Sequence, residues 1–139
     1  MLPIKQKAFA YITYHNQLLV FEHPHAPEAG IQVPAGTIQP GESPEAAVMR
    51  EAYEETGLTT LKLHRFLGEV KRDMSDFGIA QIHQRYFFHL LCEAEPPATW
   101  DHWETDPSDT PSAHLFRFYW VALPFENLIA DHGRLLSLL

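Results

Sequence analysis

Three glutamates, Glu51, Glu54 and Glu55, lie close together, the later two at three and four residues after the first. On a helix, those spacings place the carboxylates on one face, where like charges repel. Near the C-terminal end of a helix, the dipole disfavours anions further. A hard divalent cation such as Mg²⁺ prefers oxygen ligands and would relieve this repulsion, so the pattern indicates a metal site. The alternative is a solvated acidic surface in which Arg50 pairs with Glu54 four residues later.

The flanking residues predict that this segment is a helix over about 44–56. Ser43 is a hydroxyl N-cap, Pro44 suits the first helical position, and Gly57 suits the position just past the end. The three glutamates therefore lie in the last turns of the predicted helix.

A loop that contains two glycines leads into the predicted helix. Gly36 and Gly41 bracket this loop, and Glu42 follows it, where it can pair with Arg50 and fix the loop against the helix. Exposed backbone groups of such a loop can approach a phosphate or a metal ion closely. The loop and the helix together form the candidate site.

The segment from Gly36 to Leu58 resembles the Nudix box, G-x₅-E-x₇-R-E-U-x-E-E-x-G-U, in which U is a bulky apolar residue. Leu58 falls on the final apolar position, whereas Ala52 is smaller than the usual occupant of the other one. All fixed positions of the pattern are matched, by Gly36, Glu42, Arg50, Glu51, Glu54, Glu55 and Gly57.

The resemblance implies a fold of the α/β class over residues 1–139, as one domain. The expected architecture is a Nudix-type α/β/α sandwich with a mixed β-sheet between helices. The expected activity is that of a Mg²⁺-dependent pyrophosphohydrolase, with Mn²⁺ as an alternative ion. The substrate would be a nucleoside diphosphate linked to another moiety: a nucleoside triphosphate, ADP-ribose or a nucleotide sugar. Cleavage of its diphosphate would release a nucleoside monophosphate and a phosphorylated product.

The same resemblance assigns roles to individual residues. The catalytic group comprises Arg50 and the three glutamates, and which glutamate activates the water stays open. The metal ligands are the three glutamates and the backbone carbonyl of Ala35. The residues expected to support the site structurally are Gly36, Glu42 and Gly57.

The substrate is less well defined than the chemistry. Val33 to Gly36 resembles the Pro-Ala-Gly entry of ADP-ribose-type relatives, but Arg72 and Asp73 stand where such relatives carry a proline. Arg85, on a predicted strand, could hold a phosphate or lie on a solvated face.

A polar segment with two tryptophans offers further candidate contacts. Trp100 and Trp103 could stack on a base, or they could anchor the segment to the core. Nearby acids could act as an extra metal ligand or base; they are Asp101, Glu104, Asp106 and Asp109.

The remaining elements must support this loop and helix. Alternating and β-branched residues predict strands over 8–14 and 18–22, joined by a tight turn, and further strands over 31–33, 61–70, 80–92 and 115–123. Residues 71–79 and 95–114 are predicted as loops. Apolar residues at helical spacing from Phe125 to Leu139 predict an amphipathic helix packed on the sheet. The sheet is therefore expected to be covered on both faces.

Net charge and cysteine content limit the classes of ligand and the cellular compartment that we expect. The formal net charge of −8 argues against binding a nucleic-acid polymer, since that affinity comes from neutralising phosphates. A small nucleotide bound through a divalent cation remains compatible with this charge. A single cysteine, Cys92, excludes an internal disulfide and fits a reducing compartment. With no secretory signal and no apolar stretch long enough for a membrane span, we expect a cytoplasmic protein. Many members of the family that the motif resembles are dimers, so the resemblance allows a homodimer but leaves the oligomeric state open.

Two other functions compete with hydrolysis. A nucleotide-binding sensor or regulator could use the same fold without turnover, although it would not need a cluster of water-activating acids. An isomerase of the isopentenyl-diphosphate type would need a catalytic cysteine, whereas Cys92 lies in a strand pattern. Metal-dependent turnover separates the first from hydrolysis, and product identity separates the second.

Overall fold

The computed structural model describes residues 1–105 and 113–139, without the side chains of residues 104, 105 and 113. One mixed sheet of seven strands dominates it, in the order β4-β5-β1-β2-β7-β6 with β3 beside β1. The strands are β1 (Ile4–Tyr14), β2 (Gln17–Glu22), β3 (Ala35–Thr37), β4 (Leu61–Asp73), β5 (Ile82–Cys92), β6 (Thr99–Thr105) and β7 (Ala113–Ala122). The helix is α1 (Pro44–Thr56), and 3₁₀ turns lie at Pro27–Ala29, Ser75–Phe77 and Leu136–Leu138. This arrangement confirms the α/β class with a mixed sheet.

The hairpin of β1 and β2 opens to admit the loop that leads into the site. The two strands pair next to their turn, at Thr13 with Leu18 and at Tyr14 with Gln17. Farther from the turn, Phe21 of β2 bridges to Gln32, while β1 pairs with β3. The strand predicted over 31–33 is present only as two isolated bridges, Ile31 with Leu128 and Gln32 with Phe21, and the continuous strand of this segment is β3.

Helix α1 begins and ends as its sequence predicts. The Ser43 hydroxyl accepts a hydrogen bond from the Ala46 N–H at 3.1 Å, and Gly57 closes the helix with a left-handed φ of 75°. Small residues at Ala47, Val48 and Ala52 are buried and let the helix lie close to one face of the sheet. The rest of that core is mainly aromatic and aliphatic, from Ala8, Ala10, Ile12, Leu19, Phe21, Phe88, Leu90, Phe116 and Phe118.

The other face of the sheet is covered by the C-terminal segment, which is not the amphipathic helix predicted from residues 125–139. It forms turns and the short 3₁₀ turn, and its apolar side chains pack on Phe9, Tyr11 and Phe87. Ala130 and Asp131 adopt positive φ values of 50° and 59°, which interrupt a helix. The apolar side chains of this segment therefore pack on the sheet although the segment is not helical.

Two predicted loops are also partly strand. The interval 95–114 contains β6, which pairs antiparallel with β7, because Trp100 turns inward and stacks on Phe118 with ring centroids 5.1 Å apart. Strand β4 runs past the predicted end at 70 to Asp73, so the loop predicted over 71–79 begins later. No helix in the described part of the chain has the length and apolar character needed to cross a bilayer.

Candidate active site

Arg50 holds the acidic residues of the loop and the helix together. Its guanidinium binds both carboxylate oxygens of Glu42, at 2.8 and 2.9 Å. The same group donates to Glu51 at 2.8 Å and to Glu54 at 3.3 Å. A further bond to the Thr37 carbonyl, at 3.1 Å, reaches the start of the loop. One partly buried cation thus fixes three carboxylates and the loop backbone in one arrangement.

Glu42 ties the loop to this cation. Its carboxylate accepts from the Gln39 N–H at 3.0 Å and from Arg50 on both oxygens. Hydrogen bonding from Arg50 lowers the pKa of Glu42 to about 2, so it is ionised under all ordinary conditions. Glu42 therefore acts on the conformation of the loop, as the sequence predicts from its position.

Gly36 is required by the position of Glu51. A Cβ built on Gly36 would lie 2.0 Å from the Glu51 Cδ, so the carboxylate occupies the space of the missing side chain. Burial raises the pKa of Glu51 above its usual value, and the Arg50 guanidinium opposes that shift. The most enclosed carboxylate of the Arg50 group thus lies directly against the loop backbone, with a side chain 12% exposed.

The other two glutamates differ in exposure. Glu55 is buried, and its carboxylate accepts from the Ala35 N–H at 3.3 Å. Glu54 has a side chain 50% exposed, which leaves it open to solvent beside Arg50. The structure thus gathers the predicted metal and catalytic residues around one short stretch of backbone, with Ala35 next to Gly36.

Strand β6 holds the end of the helix that carries these acids. The Trp100 indole N–H donates to the Thr56 carbonyl at 2.9 Å. His102 Nε2 lies 2.8 Å from the Glu54 carbonyl, so this nitrogen carries the proton. A Cβ on Gly57 would lie 3.2 Å from the His102 ring, so glycine serves close packing here as well as the turn. His102 was missed from the sequence; the alternation of residues 100–103 is the signal that places it on the helix side.

The remaining predicted contacts lie on strands β5 and β6, outside the group of carboxylates that Arg50 binds. Trp103 is 57% exposed on β6, with its ring 6.1 Å from that of His25. Arg85 is 1% exposed on β5 and lines a cavity of about 390 Å³ that also reaches Ala35 and Gly36. Asp101 pairs with Arg117 at 2.9 Å. Two predicted acids, Asp106 and Asp109, and the side chain of Glu104 lie outside the described residues.

The donor set suits a hard divalent cation in kind and in charge. Glu51, Glu54 and Glu55 supply carboxylate oxygens, which Mg²⁺ prefers. Arg50 is shared by three carboxylates, so the cluster keeps an excess of negative charge. Yet no three acidic, histidine or cysteine side chains of the described residues converge as a finished metal centre. In this state Arg50 holds two of the expected ligands and the Ala35 N–H holds the third.

Comparisons with known proteins identify the family and the fold. A model of the NUDIX domain matches residues 4–136. A Mus musculus protein named ADP-sugar pyrophosphatase is 38% identical over 60 residues, which are 41% of this chain. The chain spans about a quarter of the length of that curated relative, since the match covers 25% of it.

Solved structures share the fold over nearly the whole chain. A MutT NUDIX hydrolase from Burkholderia pseudomallei has a TM-score of 0.63 at 23% identity, with 96% of each chain covered. A bifunctional NMN adenylyltransferase/ADP ribose pyrophosphatase from Francisella tularensis, solved with AMP and a manganese ion, has a TM-score of 0.64 at 16% identity. That match covers 99% of this chain and 41% of the other. At these identities, the two structures establish the fold.

Proposed function

The chain belongs to the NUDIX family, and on that basis we propose that it is a Mg²⁺-dependent pyrophosphohydrolase, with Mn²⁺ as an alternative ion. Its substrate would be a nucleoside diphosphate linked to a second moiety, cleaved to a nucleoside monophosphate and a phosphorylated product. The main support is the placement of Glu51 against Gly36 beside two further glutamates, which puts carboxylates at a loop whose backbone a diphosphate can approach.

We propose that Glu51, Glu54, Glu55 and the carbonyl of Ala35 hold the metal ion. Such an ion supplies Lewis-acid chemistry, since it neutralises phosphate oxygens and makes water a better nucleophile. Because Arg50 now binds Glu51 and Glu54, ion binding is expected to compete with these two hydrogen bonds. Family membership supports a divalent metal.

The chain's own residues would position the reactants and take up the proton. Arg50 and Glu42 hold the loop against α1, which keeps the Ala35 and Gly36 backbone in place. One of the glutamates accepts the proton of the attacking water, the role of a general base. Trp100 and His102 secure the helix end from which Glu54 and Glu55 project.

The proposal for the substrate moiety is based on the names of two relatives and on side chains near the site. The names of the mouse and Francisella tularensis proteins favour ADP-ribose and ADP-sugars as the first substrates to test. Trp103 is exposed enough to stack on a base, and Arg85 lines the cavity beside Gly36, so both are proposed substrate contacts. The Trp100 indole N–H donates to the Thr56 carbonyl, which supports the alternative that Trp100 anchors its segment to the core.

Turnover with a substrate panel tests the proposal. The purified protein is incubated with Mg²⁺ or Mn²⁺ and with ADP-ribose, nucleotide sugars, nucleoside triphosphates or dinucleoside polyphosphates, and the products are separated by chromatography. Glu54→Gln and Glu55→Gln should abolish cleavage. Glu45→Gln, an exposed glutamate in the first turn of the same helix, should leave it unchanged.

Two other outcomes of this experiment would favour the alternatives to hydrolysis. Metal-dependent nucleotide binding without turnover would favour the sensor over the hydrolase. With isopentenyl diphosphate added to the panel, an isomerised product with its diphosphate intact would favour the isomerase, although Cys92 is buried in β5. Light scattering of the same preparation tests for a homodimer, and a single cooperative unfolding transition tests the expected single domain. Fractionation of the source cells tests the expected cytoplasmic location.

A further inference from the structure

Arg85 is a buried cation without an anionic partner among the described residues. It is 1% exposed and takes part in none of the ion pairs formed there. One guanidinium nitrogen donates to the Ala130 carbonyl at 2.6 Å, and another lies 3.4 Å from the Met74 sulfur and 3.5 Å from His83 Nδ1. The third, Nε, has no partner in the described structure. The Phe9 ring centroid lies 4.7 Å from the guanidinium carbon. A buried charge held by neutral groups is costly, so an anion is expected to complete its coordination.

The acidic residue that influences Arg85 is bound elsewhere. The charge of Asp131 acts on Arg85, but its carboxylate is held by Arg72 at 2.8 Å. Arg72 also binds Asp76 at 2.8 Å, so this neighbouring cation is fully paired. Burial lowers the pKa of Arg85 to about 10, which keeps the group protonated at neutral pH. Its positive charge therefore remains available to a ligand.

The cavity around Arg85 is lined by positive charge, whereas the protein as a whole is negatively charged. Lys7 also lines it, Gln32 and His83 add hydrogen-bonding groups, and no carboxylate of the described residues does. Burial lowers the pKa of His83 to about 4, so this ring is neutral at pH 7 and can accept or donate. In a chain with a net charge of −8, an acid-free cavity with two cations favours an oxyanion.

The cavity is close to the carboxylate cluster. Lys7 on β1 pairs with Arg85 of β5 on one side and with Thr37 of β3 on the other. Since neighbouring strands lie about 4.8 Å apart, the backbones at Arg85 and Thr37 are about 10 Å apart. Ala35 and Gly36 line the same cavity. A group bound to Arg85 and a diphosphate at the glutamates could thus belong to one substrate molecule.

Resting on the proposed function, we propose that this cavity is an anion subsite for a phosphomonoester of the substrate, separate from the diphosphate that is cleaved. Arg85 is its main ligand and Lys7 its second. The substrates it favours are diphosphates whose other parts carry a further phosphate group. Lys7 also donates to the Thr37 hydroxyl at 2.8 Å, which links the subsite to β3.

Inorganic phosphate tests the subsite without catalysis. Phosphate is titrated into the protein in EDTA, so that a divalent metal cannot bind it at the glutamates, and binding is followed by amide NMR shifts. The wild type should show saturable shifts at residues of β1 and β5 around the cavity, and Arg85→Met should weaken binding at least tenfold. Arg134→Met, which removes an exposed arginine, should bind as the wild type does.

Thermal unfolding separates a binding role from a structural one. Because Arg85 is buried without a countercharge, Arg85→Met should leave the melting temperature without phosphate unchanged or raise it. Added phosphate should then raise the melting temperature of the wild type but not of the variant. If Arg85→Met does not fold, Lys7→Met provides the same comparison from a less buried position, with weaker phosphate binding expected.

Substrate pairs connect the subsite to turnover. Coenzyme A against dephospho-coenzyme A, and NADPH against NADH, differ by one phosphomonoester; the phosphorylated member should have a kcat/KM at least tenfold higher, and Arg85→Met should remove the difference. Phosphate binding that depends on Arg85 in a protein without hydrolase activity would overturn the proposed function and support the subsite. Binding equal in the wild type and in Arg85→Met, or absent from both, would overturn the subsite, as would a phosphomonoester preference that survives Arg85→Met.

Discussion

The ion pair between Arg50 and Glu42 should be measurably coupled in folding stability. The perturbation is a double-mutant cycle of Arg50→Met, Glu42→Gln and the double variant. Arg50→Met removes the doubly hydrogen-bonded contact at 2.8 and 2.9 Å, and Glu42→Gln removes its negative charge and one of its two acceptors. If this contact holds the loop against α1, the double variant should cost much less than the sum of the two single changes.

The magnitude follows from exposure and geometry. The side chains of Arg50 and Glu42 are 23% and 15% exposed, so solvent screens the pair only in part. Hydrogen bonds to charged groups contribute about 1.5–3 kcal/mol, and neighbouring residues couple by about 0.5–3 kcal/mol. We expect a coupling of about 2 kcal/mol. Arg50→Met alone should cost about 3 kcal/mol, because it also leaves Glu51 without its cation.

Urea denaturation, followed by circular dichroism at pH 7 and repeated at lower pH, measures the coupling. The pKa of Glu42 is about 2 in the folded protein against a usual value of 4.5, mainly because Arg50 donates to it. A group whose folded pKa is depressed stabilises the fold fully above its unfolded value. That contribution falls as the pH drops from about 4.5 toward 2. The coupling should therefore be largest at pH 7 and shrink through this window.

A coupling below about 0.5 kcal/mol at pH 7 would refute the reasoning, since independent sites add to within that margin. So would a coupling that stays constant down to pH 2. The matched controls are Arg134→Met and Glu45→Gln, two exposed changes of the same kinds. Each control should shift the free energy of unfolding by less than about 0.5 kcal/mol.

Three further changes test other contacts. Gly36→Ala should lower kcat about 100-fold and weaken Mn²⁺ binding in a calorimetric titration, because the added Cβ would lie 2.0 Å from the Glu51 Cδ; unchanged kinetics would contradict this. Trp100→Phe keeps an aromatic ring but leaves the Thr56 carbonyl unpaired, and urea denaturation should show a loss of about 1 kcal/mol. Burial lowers the pKa of His132 to about 3 from a usual value of 6.5, so between these two pH values the free energy of unfolding should fall by at most about 1.4 kcal/mol per pH unit through this group. His132→Phe should reduce that acid sensitivity, and an unchanged pH profile would refute the assignment.

The residue spacing alone was enough to predict the helix and the loop of the site. Ser43, Pro44 and Gly57 are local signals, because a cap bonds to backbone within a few residues and a left-handed turn favours glycine at one position. The Glu42 pairing with Arg50 could be predicted for the same reason, since both partners belong to one loop and one helix.

Elements that depend on distant contacts were predicted less well. The apolar spacing after Phe125 is compatible both with an amphipathic helix and with a series of turns that covers the sheet. Hydrogen bonds to distant residues stabilise the turns. Tyr11 donates to the His132 carbonyl, and Arg85 donates to the Ala130 carbonyl at 2.6 Å. The prolines near β6 favour a loop in the sequence, so the strand was not predicted. Its stability comes from pairing with β7 and from the contact of Trp100 with Phe118, which the local sequence does not reveal.

The sequence by itself determined which residues could do chemistry, and the tertiary structure decided what each of them faces. The spacing of the three glutamates predicts that they share one face of a helix, because helical geometry is periodic. Which backbone they meet, and that Glu51 fills the space beside Gly36, depends on how the loop enters between β1 and β2. In the same way, nothing local distinguishes Arg85 from a solvated arginine; burial between β1 and the C-terminal turns leaves its charge without a carboxylate partner among the described residues.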